Sequence, residues 1–309
     1  MNTIRQKRIS PAWLWCGLLL GLAGVAAGTF LDLRLDQILY HPDAQWAKFM
    51  AAVVPAPAFW GLGAAGFLTI DVMKDSKLSV LGWILGFGML AYGPIYMAES
   101  FVDEMAMSWL VAWAIGFLIA EVPAWLYSYF MRNASRKDKI TCIWILLIVC
   151  VGSMGIVQVV KRVWMRPRYI AMMSEGAIPF HPWYQMGRDT AKEFATLYES
   201  NHDLFRSFPS GHSQSVTCLF LWALIPVFTH KGSVNATMAI AMIVSWFGMF
   251  SRLVMGAHFL SDVSAGYLVT FILFTICCFA FGLTKGDPSR KSSYDDEFDV
   301  EDDDEDYED

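Results

Sequence analysis

Charge is scarce in this chain of 309 residues: Asp, Glu, Lys and Arg together make up 17% of it, where a soluble domain carries about a quarter. Cysteine is sparse too. All six (Cys16, Cys142, Cys150, Cys218, Cys277 and Cys278) lie inside apolar runs, where a thiol behaves as a small hydrophobe and a disulfide framework is not expected. The sequence also lacks a nucleotide-binding loop, zinc-ligand spacing and internal repeats. No cofactor, no metal and no nucleic-acid partner is therefore expected. What fills the space is apolar: 56% of residues are hydrophobic, and mean hydropathy is +0.41. These residues come in blocks of roughly twenty, the length that crosses about 30 Å of hydrocarbon.

The formal charge of −6 conceals an asymmetry, because twelve acidic residues lie between Asp295 and Asp309 and without them the remainder carries +6. A tail this acidic cannot bury enough apolar surface to fold alone, so residues 284–309 read as a disordered cytosolic segment. The start, MNTIRQKRIS followed by an apolar run, has the outline of a signal peptide, but the run is long for one. It reads as a retained first helix.

Apolar runs predict helices near 11–30, 49–70, 78–98, 106–130, 140–160, 213–229, 236–256 and 259–283. The fold class is thus all-α, a polytopic membrane bundle of about eight transmembrane helices, with six possible. Pro55 and Pro57 interrupt the second run and Pro94 lies in the third, which membrane helices tolerate where neighbours satisfy the freed carbonyls. Lys and Arg concentrate in alternate connections: Arg5, Lys7 and Arg8, then Lys74 and Lys77, then Arg132, Arg136, Lys137 and Lys139, then Lys231, then Lys285, Arg290 and Lys291. By the positive-inside rule both termini are cytosolic in a multi-pass plasma-membrane protein. Residues 1–139 then form N-terminal membrane helices, and 140–283 a core with an outer-face loop at 162–208. Within that aromatic-rich loop, 188–199 predicts a short amphipathic helix with Ala191, Phe194, Ala195 and Tyr198 on one side.

Three short segments carry chemistry, and this topology brings all three to the outer face. In SRLVMGAHFLSD, His258 and Asp262 stand four apart and share a face if helical, so the carboxylate can fix the ring tautomer and leave the other nitrogen free as a nucleophile. Arg252 can point to the same pocket beyond a bend at Gly256. Pro209-Ser210-Gly211-His212 precedes an apolar run and so falls at a helix N-terminus, where free N–H groups favour an anion. Lys161 and Arg168 bracket six residues at the end of the fifth run and add donors suited to phosphate oxygens. Arg162 and Arg166, between them, read as neighbours that face lipid headgroups.

In order and spacing these residues resemble the three-part signature of the type 2 phosphatidic acid phosphatase superfamily, the lipid phosphate phosphatases. That signature is Lys, six residues, Arg-Pro; Pro-Ser-Gly-His; and Ser-Arg, five residues, His, three residues, Asp. One position departs, since Tyr169 stands where the family has proline. The resemblance covers roughly residues 140 to 283 and implies a core like that of these phosphatases and the vanadium haloperoxidases. It also implies metal-independent hydrolysis of a lipid phosphate or diphosphate, of the phosphatidic acid, phosphatidylglycerol phosphate or undecaprenyl diphosphate type, through a phosphohistidine. By position His258 would attack, Asp262 would orient it and His212 would serve as acid and then base. Lys161, Arg168, Ser210, Gly211 and Arg252 would hold the phosphate. The implied partners are a membrane lipid substrate and the bilayer. A phosphotransferase using the same intermediate, or a silent transporter or scaffold, are the alternatives.

Overall fold

A computed structural model of the chain describes residues 7–175 and 178–284, which leaves the acidic tail outside the described residues. The described part is helical and carries no strand. Its elements are α1 (Pro11–Leu39), α2 (Gln45–Val53), α3 (Ala56–Met73), α4 (Ser79–Met105), α5 (Trp109–Phe130), α6 (Arg136–Leu147), α7 (Ser153–Trp164), α8 (Tyr169–Glu175), α9 (Arg188–Glu193), α10 (Ala195–Ser200), α11 (Gly211–Thr217), α12 (Leu224–Thr229), α13 (Val234–Val254) and α14 (Leu260–Ala280). Eight helical runs are long and apolar enough to cross a membrane. Their outward faces stay apolar, with Phe30, Leu110 and Ile243 among the most exposed side chains, a surface suited to lipid rather than water.

Local chemistry sets the boundaries. Ser10 caps α1 by accepting a bond from the Ala12 N–H, and Pro11 occupies the first turn, where its missing donor costs nothing. The second run breaks at Val54-Pro55 into α2 and α3, as its two prolines predict. The fifth run passes through a π-helical turn at Ile148–Gly152 before α7. Just beyond it, buried Ser153 accepts a bond from Gln214 of α11 at 2.8 Å. The first helix runs nine residues past its predicted end because Asp32 and Asp36, which lower the local hydropathy, turn inward and are buried.

The predicted helix over 188–199 forms as two pieces. Phe194 takes a non-helical conformation between α9 and α10. Ala191, Phe194, Leu197 and Tyr198 pack into a small cluster with Phe205, whereas Ala195 faces outward.

The bundle has two distinct ends. At one, the Ile9 N–H reaches the Leu283 carbonyl, Trp13 bonds Asn235 at 3.0 Å and Lys139 pairs with Asp71 at 2.7 Å. At the other, α1 and α14 bring Asp32 to Ser261, and the His41 N–H donates to Val254 O. A single apolar cluster, with residues from Ile9 to Leu283, joins the two ends.

Candidate active site

The second end gathers the three sequence segments. α13 stops at Val254, where Gly256 turns the chain with a φ of 63° that favours glycine. The Ala257 and His258 N–H groups then fold back onto Arg252 O. Four residues later Asp262 lies in the first turn of α14 and caps it by accepting from the Phe259 N–H at 2.9 Å. The Ser210 N–H donates to Asp262 O at 2.9 Å, so the starts of α11 and α14 are pinned together. Their closeness depends on Gly266, since a Cβ there would come within 2.2 Å of Ser210 O.

Across this junction the rings of His212 and His258 have centroids 6.4 Å apart. His258 is buried, and its Nδ1 lies 2.7 Å from the Ser207 carbonyl. A carbonyl can only accept, so the proton resides on Nδ1 and Nε2 is left as a lone-pair nitrogen. Nε2 has no hydrogen-bond partner among the described residues. The tautomer is therefore fixed by a backbone carbonyl rather than by direct contact with Asp262, whose Oδ2 stands 3.9 Å from Nδ1. Burial drives His258 down to about 3, with Arg168 and Lys161 acting in the same direction against the pull of Asp262.

Three cations surround the imidazoles. Lys161 ends α7, is buried, and has its Nζ 3.7 Å from where a Cβ on Gly211 would stand. Arg168 pairs with Asp203 at 2.6 Å, and Arg252 pairs with Glu104 at 3.5 Å. Both arginines keep a buried Nε without a partner among the described residues. His212 lies within electrostatic reach of Arg252, His258, Lys161 and Arg168. Partial burial would push Asp203 up, but Arg168 and Lys161 outweigh it and hold the carboxyl below its usual value. Ser210 accepts from the Ser213 N–H at 3.3 Å as the cap of α11, which leaves its own proton to donate. All eight predicted site residues thus converge, with Gly211 at the first position of α11.

Arg166 corrects the sequence reading. Arg162 is exposed as expected, but Arg166 is fully buried instead of facing headgroups. It donates to Asp262 at 2.5 Å, to Asp32 at 2.9 Å, to Ser261 at 2.9 Å and to the His181 carbonyl at 2.8 Å, with the Phe259 ring 4.2 Å beneath it. Ser207, Asp203 and Glu104 were likewise not singled out by the sequence. Ser207, two residues before Pro209, ties the first and third segments together: its N–H donates to Arg166 O, its hydroxyl to Asp262 and its carbonyl accepts from His258. Tyr169, at the position where the signature resembled above has proline, is an anchored ring. It lies edge-on to Tyr40 at 5.2 Å and to Phe259 at 6.3 Å, while the neighbouring Arg168 N–H bonds Leu204 O.

With this geometry in place, comparison with known proteins gives two matches. Residues 141–283 match the PAP2 superfamily. A lipid A 1-phosphatase of Rhizobium johnstonii is 38% identical over 91 residues, which cover 27% of this chain and 34% of that protein. The chain therefore spans about a third of the length of the curated relative it matches. No solved structure matches it significantly.

Proposed function

We propose, from a chain that carries a PAP2 superfamily domain over residues 141–283, that it is an integral membrane phosphatase acting on a lipid phosphate or diphosphate. The observation that carries this reading is the Nε2 of buried His258, which has no hydrogen-bond partner among the described residues, on a ring whose centroid lies 6.4 Å from that of His212 among Lys161, Arg168 and Arg252. In the first step His258 Nε2 forms a bond to phosphorus as the bond to the leaving oxygen breaks, and His212 gives that oxygen its proton. In the second step His212 takes a proton from water, whose oxygen attacks phosphorus and displaces His258. Inorganic phosphate departs and both rings return to their starting state.

Lys161, Arg168, Arg252, the Ser210 hydroxyl and the Gly211 N–H hold the phosphoryl oxygens while charge shifts between them. A cup lined by three cations attracts an anion and repels a metal ion, and the nucleophile is already in its reactive form. Residues 140–283 serve as the catalytic core in this reading, and residues 1–139 are supporting membrane helices. The charge pattern of the connections supports a plasma-membrane protein with its cup at the outer leaflet. The deciding experiment is a panel of lipid phosphates and diphosphates, assayed with excess chelator for released phosphate. Turnover that His258→Ala abolishes and vanadate inhibits supports the reading. Unchanged turnover in His258→Ala rejects the nucleophile.

A further inference from the structure

Helix α1 lies outside the matched domain, yet it supplies a carboxylate to the innermost part of the site. Asp32 is buried and accepts three bonds: from Arg166 Nη2 at 2.9 Å, from the Ser261 N–H at 2.9 Å and from the Ser261 hydroxyl. The Arg166 guanidinium is equally buried, and its other end donates to Asp262 Oδ1. A buried guanidinium is tolerated only when its donors are met, and here a carboxylate on each Nη fixes the plane of the fork.

Asp32 reaches Asp262 by two routes. One runs through Arg166. The other runs through Ser261, the residue immediately before Asp262 in the first turn of α14, whose hydroxyl donates to Asp32 and accepts from Arg166. Asp262 in turn accepts the Ser207 hydroxyl, and the Ser207 carbonyl takes the Nδ1 proton of His258. Apart from the peptide bond between Ser261 and Asp262, every link is a hydrogen bond between buried groups. No direct bond joins Asp262 to the imidazole, so the orientation of the ring depends on how firmly Ser207 and Asp262 are held.

We infer that Asp32 of α1 is a positioning residue for the nucleophile: it clamps Arg166 and Ser261, these fix Asp262, and Ser207 passes that placement to the His258 ring. The inference rests on the phosphatase reading and adds to it that the first helix is part of the catalytic apparatus. Asp32 does not touch the phosphate-holding cations, so its loss acts on the chemical step and spares substrate binding.

The test compares the full-length protein with Asp32→Asn in detergent, reading kcat, KM, inhibition by inorganic phosphate and thermal midpoint. Asp32→Asn is expected to lower kcat between about tenfold and a hundredfold, the range of a nucleophile displaced by a fraction of an ångström to an ångström. KM and the phosphate inhibition constant are expected to stay within about twofold. Ser261→Ala removes the hydroxyl from the second route, leaving only the Ser261 N–H on Asp32, without removing a charge, and is expected to lower kcat severalfold with the same unchanged KM; it decides the matter if Asp32→Asn does not fold. An unchanged kcat in the folded variant, or a KM and phosphate inhibition that worsen in step with kcat, overturns the clamp alone. Absence of phosphate release by the unmodified protein rejects the phosphatase reading and, with it, the catalytic role of Asp32.

Discussion

A buried imidazole that stays neutral has a thermodynamic consequence. His258 titrates near 3 in the folded protein because burial disfavours its charged form, against about 6.5 in an unfolded chain. Between those values the unfolded chain binds a proton that the folded one does not. Stability supplied by this residue is therefore intact above about 6.5 and declines as pH falls toward 3, by about 1.4 kcal/mol for each pH unit. His258→Gln lacks this term. The difference in thermal midpoint between the protein and that variant is expected to move in the variant's favour as pH drops from 6.5 to 4, and a difference that stays constant would place His258 in a solvated setting. At the same scale, the limits of sequence reading are physical. His258, His212 and Arg252 were legible because each lies in a local pattern whose spacing reflects a turn or a helix start. Arg166 was not, because its partners Asp32 and Asp262 are 134 and 96 residues away and no local spacing records such a meeting. A cation near a membrane edge is ordinarily a headgroup anchor, and only burial distinguishes Arg166 from exposed Arg162.

Among the elements, the contact between α11 and α14 sets the site, because these helices begin with the two parts that must meet. Gly266 is one turn beyond Asp262 and lies against the Ser210 carbonyl. A methyl group at 2.2 Å from a backbone oxygen has no flexible neighbour to displace, so the helices must separate. Gly266→Ala is expected to cost about 1–3 kcal/mol of stability, as overpacking does, and to lower kcat by drawing the Ser210 N–H away from Asp262 O. Gly155→Ala on α7 provides the comparison, since nothing lies within 4 Å of a Cβ there; its stability is expected to change by less than about 1 kcal/mol. Thermal midpoint and turnover of the two variants, measured side by side, check both expectations, and equal behaviour would show that the α11–α14 approach is not limiting. The eight spans were readable from apolar run length because a lipid-facing helix needs no more information than that. The true end of α1 was not, since inward aspartates look like a boundary to hydropathy. The break at Phe194 also escaped, because a face with helical periodicity does not reveal where tertiary packing interrupts it.

For the whole molecule, the two ends of the bundle differ in chemistry, and that difference carries the proposed orientation. The end that carries Lys7, Arg132, Lys139 and Lys231 is rich in the cations that positive-inside topology retains in the cytosol. The end that holds the candidate site has cations drawn into ion pairs, Arg166 with buried Asp32 and Asp262 and Arg252 with partly exposed Glu104, so they serve the site more than the membrane edge. Asp189, whose side chain is almost fully exposed, lies on the connection above the cup, and exposed Lys231 lies at the far end. Cysteines placed singly at these positions report on orientation with little background, because the native thiols are buried apart from Cys16, which lies within the apolar α1 span, and a thiol needs water to form the reactive thiolate. With a membrane-impermeant maleimide, Asp189→Cys is expected to label in intact cells and Lys231→Cys only after the membrane is opened. The reverse pattern would place the cup at the inner leaflet. The proposed phosphohistidine chemistry would survive that result, since it depends on the local arrangement of rings and cations, but the lipid pool open to the proposed phosphatase would change sides.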